Sequence, residues 1–310
     1  MATTVLNLPE EEYILPGTRA CSGCGLALSY RHILKALGEK TIVTIPASCL
    51  TVLHGLYPST SVRVTNINTA FATTAASATG VVAGLKALGK TDYTVLGIAG
   101  DGGTFDIGIQ ALSAAAERNT DFIYVCYDNE GYMNTGTQRS SATPLGAYTT
   151  TTPGTKFEHK KDMIAIMEAH GIPYVASASP AYPLDLYDKV VKAKGISGTR
   201  FILVHVPCAP GWGFPTRDVV KLGKVAVESG MTVLCEIERG AFRLTARSRT
   251  LAQGGRRKPV AEYVKLQSRF GAITSGQIDE LQGWVDRRWD RCLERHRLSP
   301  ETAEGKEREA

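Results

Sequence analysis

Between residues 93 and 129 the chain passes through an apolar run, a glycine turn, a helix-period segment and a second apolar run, which restricts the fold class. Residues 93–99 are β-formers without charge and stop at Gly100-Asp101-Gly102-Gly103, which reads as a buried strand closed by a tight turn. Residues 107–117 are apolar at helical spacing, and residues 122–127 form a second apolar run that ends at Asp128-Asn129. A helix between two buried strands joins them in parallel. Parallel α/β sheets bind ligands at the carboxyl ends of their strands, where this segment gathers its polar residues.

Those residues suit a diphosphate and a cation. Glycines around Asp101 let the backbone approach a phosphate while the carboxylate faces a cation. Asn129 follows 28 residues later, across a helix and a strand, and offers a side-chain carbonyl oxygen, with the Gly131 carbonyl just beyond. One carboxylate, one amide oxygen and one main-chain carbonyl, completed by phosphate oxygens, match the hard octahedral preference of Mg²⁺. A glycine turn alone is often only structural, but the turn with Asn129 at this spacing resembles the thiamine diphosphate motif.

The resemblance extends along the chain. The segments GDGGTFDIGIQALSAAAERN, YDNEGYMNTGTQRSSATP, RACSGCG, CAPGW and EYVKLQSRF resemble the β subunit of the pyruvate:ferredoxin oxidoreductase family, the 2-oxoacid:ferredoxin oxidoreductases. The similarity spans roughly residues 16–270. It implies a doubly wound, mostly parallel α/β sheet of the thiamine diphosphate-binding fold. It also implies that Gly100, Asp101, Gly102, Gly103 and the run Asn129, Glu130, Gly131, Tyr132, Met133 and Asn134 bind the cofactor. Asp101, Asn129 and the Gly131 carbonyl then hold Mg²⁺, and Asn134 lies toward the reacting ring.

Cys21, Cys24, Cys49 and Cys208 fall in loops beside strand ends. From the residues alone, a zinc ion, a [4Fe–4S] cluster and no metal at all remain open. The resemblance selects the cluster, with Cys49 both ligating it and approaching the thiamine. Cys126 reads as core, and Cys235 and Cys292 carry no motif. The implied reaction is oxidative decarboxylation of pyruvate to acetyl-CoA and CO₂, with electrons passing through the cluster to ferredoxin. It requires α-, γ- and δ-type partner subunits, because the glutamate that activates the aminopyrimidine is not recognisable here. Leu26 stands where many relatives carry Glu, and no acidic residue follows Phe71, so branched-chain 2-oxoacids and oxalate stay open as substrates. A zinc-stabilised module without catalytic function is the remaining alternative.

The 43% hydrophobic content supplies a full α/β core. No stretch of about 18 apolar residues predicts a membrane span, and residues 1–17 lack the pattern of a signal peptide, so a cytoplasmic location is expected. A formal charge of +5, without interleaved aromatic and basic residues, excludes a nucleic-acid partner.

The remaining pattern predicts helices over 26–37, 68–88, 161–170, 183–194 and 219–227, and strands over 41–45, 174–178, 201–206 and 232–238. Residues 1–17 are expected to lie over a neighbouring subunit, and residues 140–157, rich in Thr, Ser, Gly and Pro, to form a surface loop. The α/β domain is expected to end at residue 238. A basic, partly helical extension follows from 239, with a docking role for an acidic electron carrier as one reading, and residues 299–310 read as a disordered tail. His54 and His205 are expected to be core histidines. Arg139 suits either a carboxylate or phosphate ligand or a salt bridge.

Overall fold

A computed structural model of the chain describes residues 3–299. Eight strands form one sheet: β1 Thr41–Pro46, β2 Thr65–Thr69, β3 Thr94–Gly100, β4 Phe122–Asp128, β5 Tyr174–Ala178, β6 Thr199–His205, β7 Cys235–Glu238 and β8 Ala241–Leu244. Their spatial order is β2-β1-β3-β4-β6-β5-β7-β8. Six strands run parallel, while β7 and β8 add an antiparallel edge. The helices are α1 Gly25–Leu37, α2 Cys49–His54, α3 Thr74–Ala87, α4 Ile109–Glu117, α5 Met163–Glu168 and α6 Pro183–Lys194. They continue as α7 Ala209–Trp212, α8 Val219–Ser229, α9 Ala246–Ala252, α10 Val260–Val264 and α11 Ser275–Arg297.

Strand β4 shows why the central strands lack polar residues. Ile123, Val125 and Tyr127 enter an apolar cluster with α1 and α6. Phe122, Tyr124 and Cys126 enter the opposite cluster with α3, α4 and α5. Successive side chains on a strand point to opposite faces, and here both faces are covered. The sheet is doubly wound and mostly parallel, as the alternation of strands and helices predicts. Its order reverses between β1 and β3, and ligands of such sheets sit at that reversal, beyond the carboxyl ends. Cys49 follows β1 there, and Gly100-Asp101 follows β3.

Several local expectations are corrected. The helix predicted from residue 68 begins at Thr74, because Asn68 and Thr69 pair with Ile45 and Pro46 in β2. Residues 140–147 run through the interior, with Ser140, Ala142, Thr143, Leu145 and Ala147 each at most 2% exposed, whereas 148–157 lies mostly at the surface as expected, apart from Thr149 and Lys156. The Ser140 and Thr143 hydroxyls satisfy buried partners, which composition does not reveal. Beside these corrections, the N-terminal segment is also anchored to its own chain: Lys35 Nζ donates to the Pro9 and Glu11 carbonyls at 2.6 and 2.9 Å, and Leu15 N–H donates to Ser61 O.

Past residue 238, β8 pairs with β7, and Phe242, Leu244, Leu251 and Trp289 share an apolar cluster with Val175 and Phe201. Basic residues of this segment have acidic partners, Arg243 with Glu238, Lys258 with Glu228 and Arg257 with Asp286. Residues 300–310 of the predicted tail lie outside the described residues. Among the described residues no helix is long and apolar enough to cross a membrane.

Candidate active site

Two adjoining cavities open at the carboxyl edge of the sheet. The first is lined by Gly100, Gly102, Gly103, Asn129, Gly131, Tyr132, Met133 and Asn134, with Cys49, Phe71 and Tyr127 completing the wall. The second is lined by Cys21, Cys24, Cys49 and Cys208, with Leu26, Asn129 and Asn134. Cys49, Asn129 and Asn134 belong to both.

The glycine turn leaves β3 through a wide turn of helix at Gly102–Asp106. A Cβ on Gly102 would stand 2.5 Å from a Tyr132 ring carbon, and one on Gly100 would stand 3.0 Å from Tyr127. Glycine is therefore required here by close approach. Asp101 lies beneath the turn, 0% exposed and, like Glu130, lining neither cavity; it adjoins the first through the Asn129 amide. Burial, and then the negative charge of Asp128, raise its carboxyl well above the ordinary range. Ser140 Oγ donates to Asp101 Oδ2.

The end of the Asn129 amide lies 2.8 Å from Asp101 Oδ1 and 2.9 Å from the Gly131 carbonyl oxygen. With its NH₂ turned inward the amide donates to both. With its oxygen turned inward three oxygens converge, an arrangement that a bound cation or a proton on Asp101 would hold. Adjacent corners of an Mg²⁺ octahedron with bonds of about 2.1 Å are about 3.0 Å apart, so these two separations match edges of that coordination shell.

Glu130 is predicted among the cofactor-binding residues, yet its side chain lines neither cavity. It turns into the interior, 3.0 Å from Lys160 Nζ and 2.5 Å from Arg269 Nη2. Burial alone would raise its carboxyl, but the Lys160 and Arg269 charges outweigh that and hold it well below the ordinary range. Lys160 also meets Asp128 at 2.8 Å.

The four cysteines come from three regions of the chain. Cys21 and Cys24 form a tight turn before α1, closed by Cys24 N–H on Cys21 O at 3.1 Å. Cys49 begins α2, and Cys208 caps α7. Burial, and then the neighbouring Cys208, Cys24 and Cys21, push the Cys49 thiol up to about 12. Burial pushes Cys208 up to about 11. Among the described residues no three His, Cys, Asp or Glu side chains stand close enough to hold a single metal ion.

Of the other singled-out residues, His54 is buried at 1% exposure and stacks on Tyr30 at 5.3 Å between centroids. His205 is buried with Nε2 3.6 Å from Glu130 Oε1. Arg139 pairs with Glu158 at 3.2 Å. Ser140, Lys160, Trp212 and Arg269 escaped the sequence reading. Ser140, Trp212 and Arg269 fall within the segments YDNEGYMNTGTQRSSATP, CAPGW and EYVKLQSRF, which marked them without giving a role, whereas Lys160 carried no signal.

Fold and cleft together define a thiamine diphosphate-binding α/β domain. The family model "Thiamine pyrophosphate enzyme, C-terminal TPP binding domain" matches residues 47–206. The chain is 49% identical to pyruvate synthase subunit PorB of Methanothermobacter thermautotrophicus, over 91% of this chain and 97% of that one. It is 46% identical to ketoisovalerate oxidoreductase subunit VorB of Pyrococcus horikoshii, over 92% and 94% of the two chains. A solved 2-oxoglutarate:ferredoxin oxidoreductase from Magnetococcus marinus shares the fold, with TM-score 0.57 and 24% identity over 68% of this chain and 72% of that one. The chain belongs to the β subunits of the 2-oxoacid:ferredoxin oxidoreductases, thiamine diphosphate-dependent enzymes of several subunits.

Proposed function

We propose that this β subunit serves a pyruvate:ferredoxin oxidoreductase, acting in an anaerobic cytoplasm with α-, γ- and δ-type subunits and taking pyruvate and coenzyme A. The observation that carries the reading is the wall of Cys49, Asn129 and Asn134 shared by the glycine-lined cleft and the cysteine cavity. A redox enzyme that passes electrons from an organic centre to a cluster needs the two sites side by side.

Thiamine diphosphate, when bound, supplies the electron sink for loss of CO₂ from a 2-oxoacid. The chain's own groups would hold and orient it. Gly100, Gly102 and Gly103 permit close backbone approach to the diphosphate, and Asp101, Asn129 and the Gly131 carbonyl would hold Mg²⁺. Asn134 presents an amide to the space shared by both cavities, where a 2-oxoacid carboxylate or carbonyl can accept from it.

Cys21, Cys24, Cys49 and Cys208 would hold a [4Fe–4S] cluster. Each thiolate of such a cluster binds a different iron, so its ligands stand farther apart than those around one ion. Burial and crowding raise the Cys49 and Cys208 thiols, and a cationic iron cluster relieves that penalty by stabilising thiolates.

A second reading, a branched-chain 2-oxoacid, is favoured by the similarity to the ketoisovalerate subunit. Leu26, 2% exposed and in the cysteine cavity, is the departure nearest the site. Ala72 lines neither cavity.

The test is anaerobic purification with the partner subunits and viologen reduction with pyruvate, 2-oxoisovalerate, 2-oxoglutarate and oxalate. Coenzyme A-dependent reduction that is fastest with pyruvate is expected. Preference for 2-oxoisovalerate moves the assignment to the branched-chain class, and oxalate turnover without coenzyme A overturns the acyl-transfer reading.

A further inference from the structure

The turn that presents Asn129 and Gly131 to the cleft is fastened from its other side by groups that touch neither cavity. Glu130, between them, adopts φ +64°, a left-handed conformation uncommon for a residue with a Cβ. Its carbonyl accepts from Thr143 Oγ1 at 2.8 Å, and its N–H donates to Asp128 Oδ1 at 3.1 Å. Its carboxylate receives Arg269 Nη2 at 2.5 Å. The Arg269 guanidinium in turn lies over the Trp212 ring, 4.0 Å from the centroid.

Trp212 is the piece that reaches both sites. Its Nε1 donates to the Asn129 carbonyl oxygen at 2.7 Å, and its backbone N–H donates to the Cys208 carbonyl oxygen at 2.9 Å. The indole is 0% exposed. Helix α7, one turn long, therefore spans from a cysteine of one cavity to the metal-presenting turn of the other. The join is dense: a Cβ on Gly211 would stand 2.1 Å from Met133 Sδ and 3.3 Å from Cys208 Sγ.

We propose that Trp212, held flat by Arg269 and Glu130, is a positioning residue that fixes the Asn129–Gly131 turn against Cys208, and so sets both the cation-binding geometry and the spacing of the two cavities. The inference rests on the thiamine diphosphate and cluster reading above. Outer partners that orient ligands commonly change metal affinity about 10- to 100-fold when removed. Losing the indole N–H frees the Asn129 carbonyl to shift while keeping an aromatic ring under Arg269. Replacing Arg269 by Lys keeps a charge for Glu130 but loses the planar stack.

The experiment compares Trp212→Phe and Arg269→Lys with wild type in the assembled enzyme. It reads Mg²⁺-dependent thiamine diphosphate binding by calorimetry, cluster reduction in a single turnover, and melting without cofactor. Phe270→Leu, a packing change beside the same rings, is the control. Half-saturating Mg²⁺ is expected to rise about tenfold in Trp212→Phe, with slower cluster reduction at saturating Mg²⁺ and a cofactor-free melt lowered no more than in Phe270→Leu. Arg269→Lys should show the same pattern more weakly, which keeps the test valid if one variant fails to fold. Wild-type Mg²⁺ dependence in both variants, or an equal rise in Phe270→Leu, overturns the proposal. A wild-type enzyme that binds thiamine diphosphate without any divalent cation overturns the underlying reading and the proposal with it.

Discussion

The turn from Asp128 to Gly131 separates two buried regions of opposite character. On its inner side Asp128, Glu130, Lys160 and Arg269 pair at 2.5 to 3.0 Å, and the pairing holds the Glu130 carboxyl well below its ordinary range. On its outer side Asp101 is equally buried, yet among the described residues no lysine or arginine forms an ion pair with it, and burial and the charge of Asp128 outweigh the Ser140 hydrogen bond and the Lys160 charge and raise it. The Cys49 and Cys208 thiols of the second cavity rise as well, burial first. Compensated charges make a frame, and uncompensated groups mark where a ligand has yet to be accommodated. One strained turn between them lets a rigid interior present an unsatisfied surface.

Substituting Glu130 tests the inner side with the largest expected effect. Glu130→Ala leaves Lys160 and Arg269 buried with reduced pairing, and denaturant unfolding should show a loss of roughly 3–5 kcal/mol. A loss below about 1 kcal/mol would mean that water enters and the region is not the closed frame described.

The next effect depends on pH and lies in α2, which carries Cys49 at one end and His54 at the other. Burial lowers the His54 imidazole to about 4, partly offset by the Asn66 side chain, from an ordinary value of 6.5. Between those values the unfolded chain binds the proton and the folded chain does not. Stability is therefore fully present above 6.5 and falls with pH through the window down to about 4, by roughly 3 kcal/mol in all. Equilibrium unfolding across pH 4–7 measures the slope, and His54→Phe, which keeps a ring on Tyr30, should flatten it.

On the outer side the sign reverses. Asp101→Asn replaces a buried, poorly compensated carboxyl with a neutral amide, so the cofactor-free chain should gain roughly 1 kcal/mol while cation-dependent cofactor binding disappears. Equal destabilisation by Asp101→Asn and Glu130→Ala would erase the contrast. At the surface, Arg139→Ala removes an exposed pair with Glu158 and should change stability by less than about 0.5 kcal/mol.

What the sequence made legible follows the same division. The central strand–helix–strand unit, the glycine turn and Asn129 are local in sequence, and period and turn chemistry reveal them. The frame is not local: Glu130 reaches Lys160, Arg269 and His205, so no short window contains it. The first half of the run at 140–157 looked like surface because its residues are polar, whereas Ser140 and Thr143 spend their hydroxyls on Asp101 and the Glu130 carbonyl. Strand β8 was missed because four residues interrupted by Arg243 carry little β signal, and the acidic side chains of β7 that Arg243 meets lie outside that window.

The claim that most needs a direct measurement is the shared wall at Cys49. In the anaerobically assembled enzyme, Cys49→Ser should abolish the low-temperature electron paramagnetic resonance signal of the reduced cluster nearest the thiamine, together with substrate-driven viologen reduction. Thiamine diphosphate binding should survive. A full cluster signal in Cys49→Ser would contradict the account, because the cysteine cavity would then not be the electron-accepting site beside the cofactor.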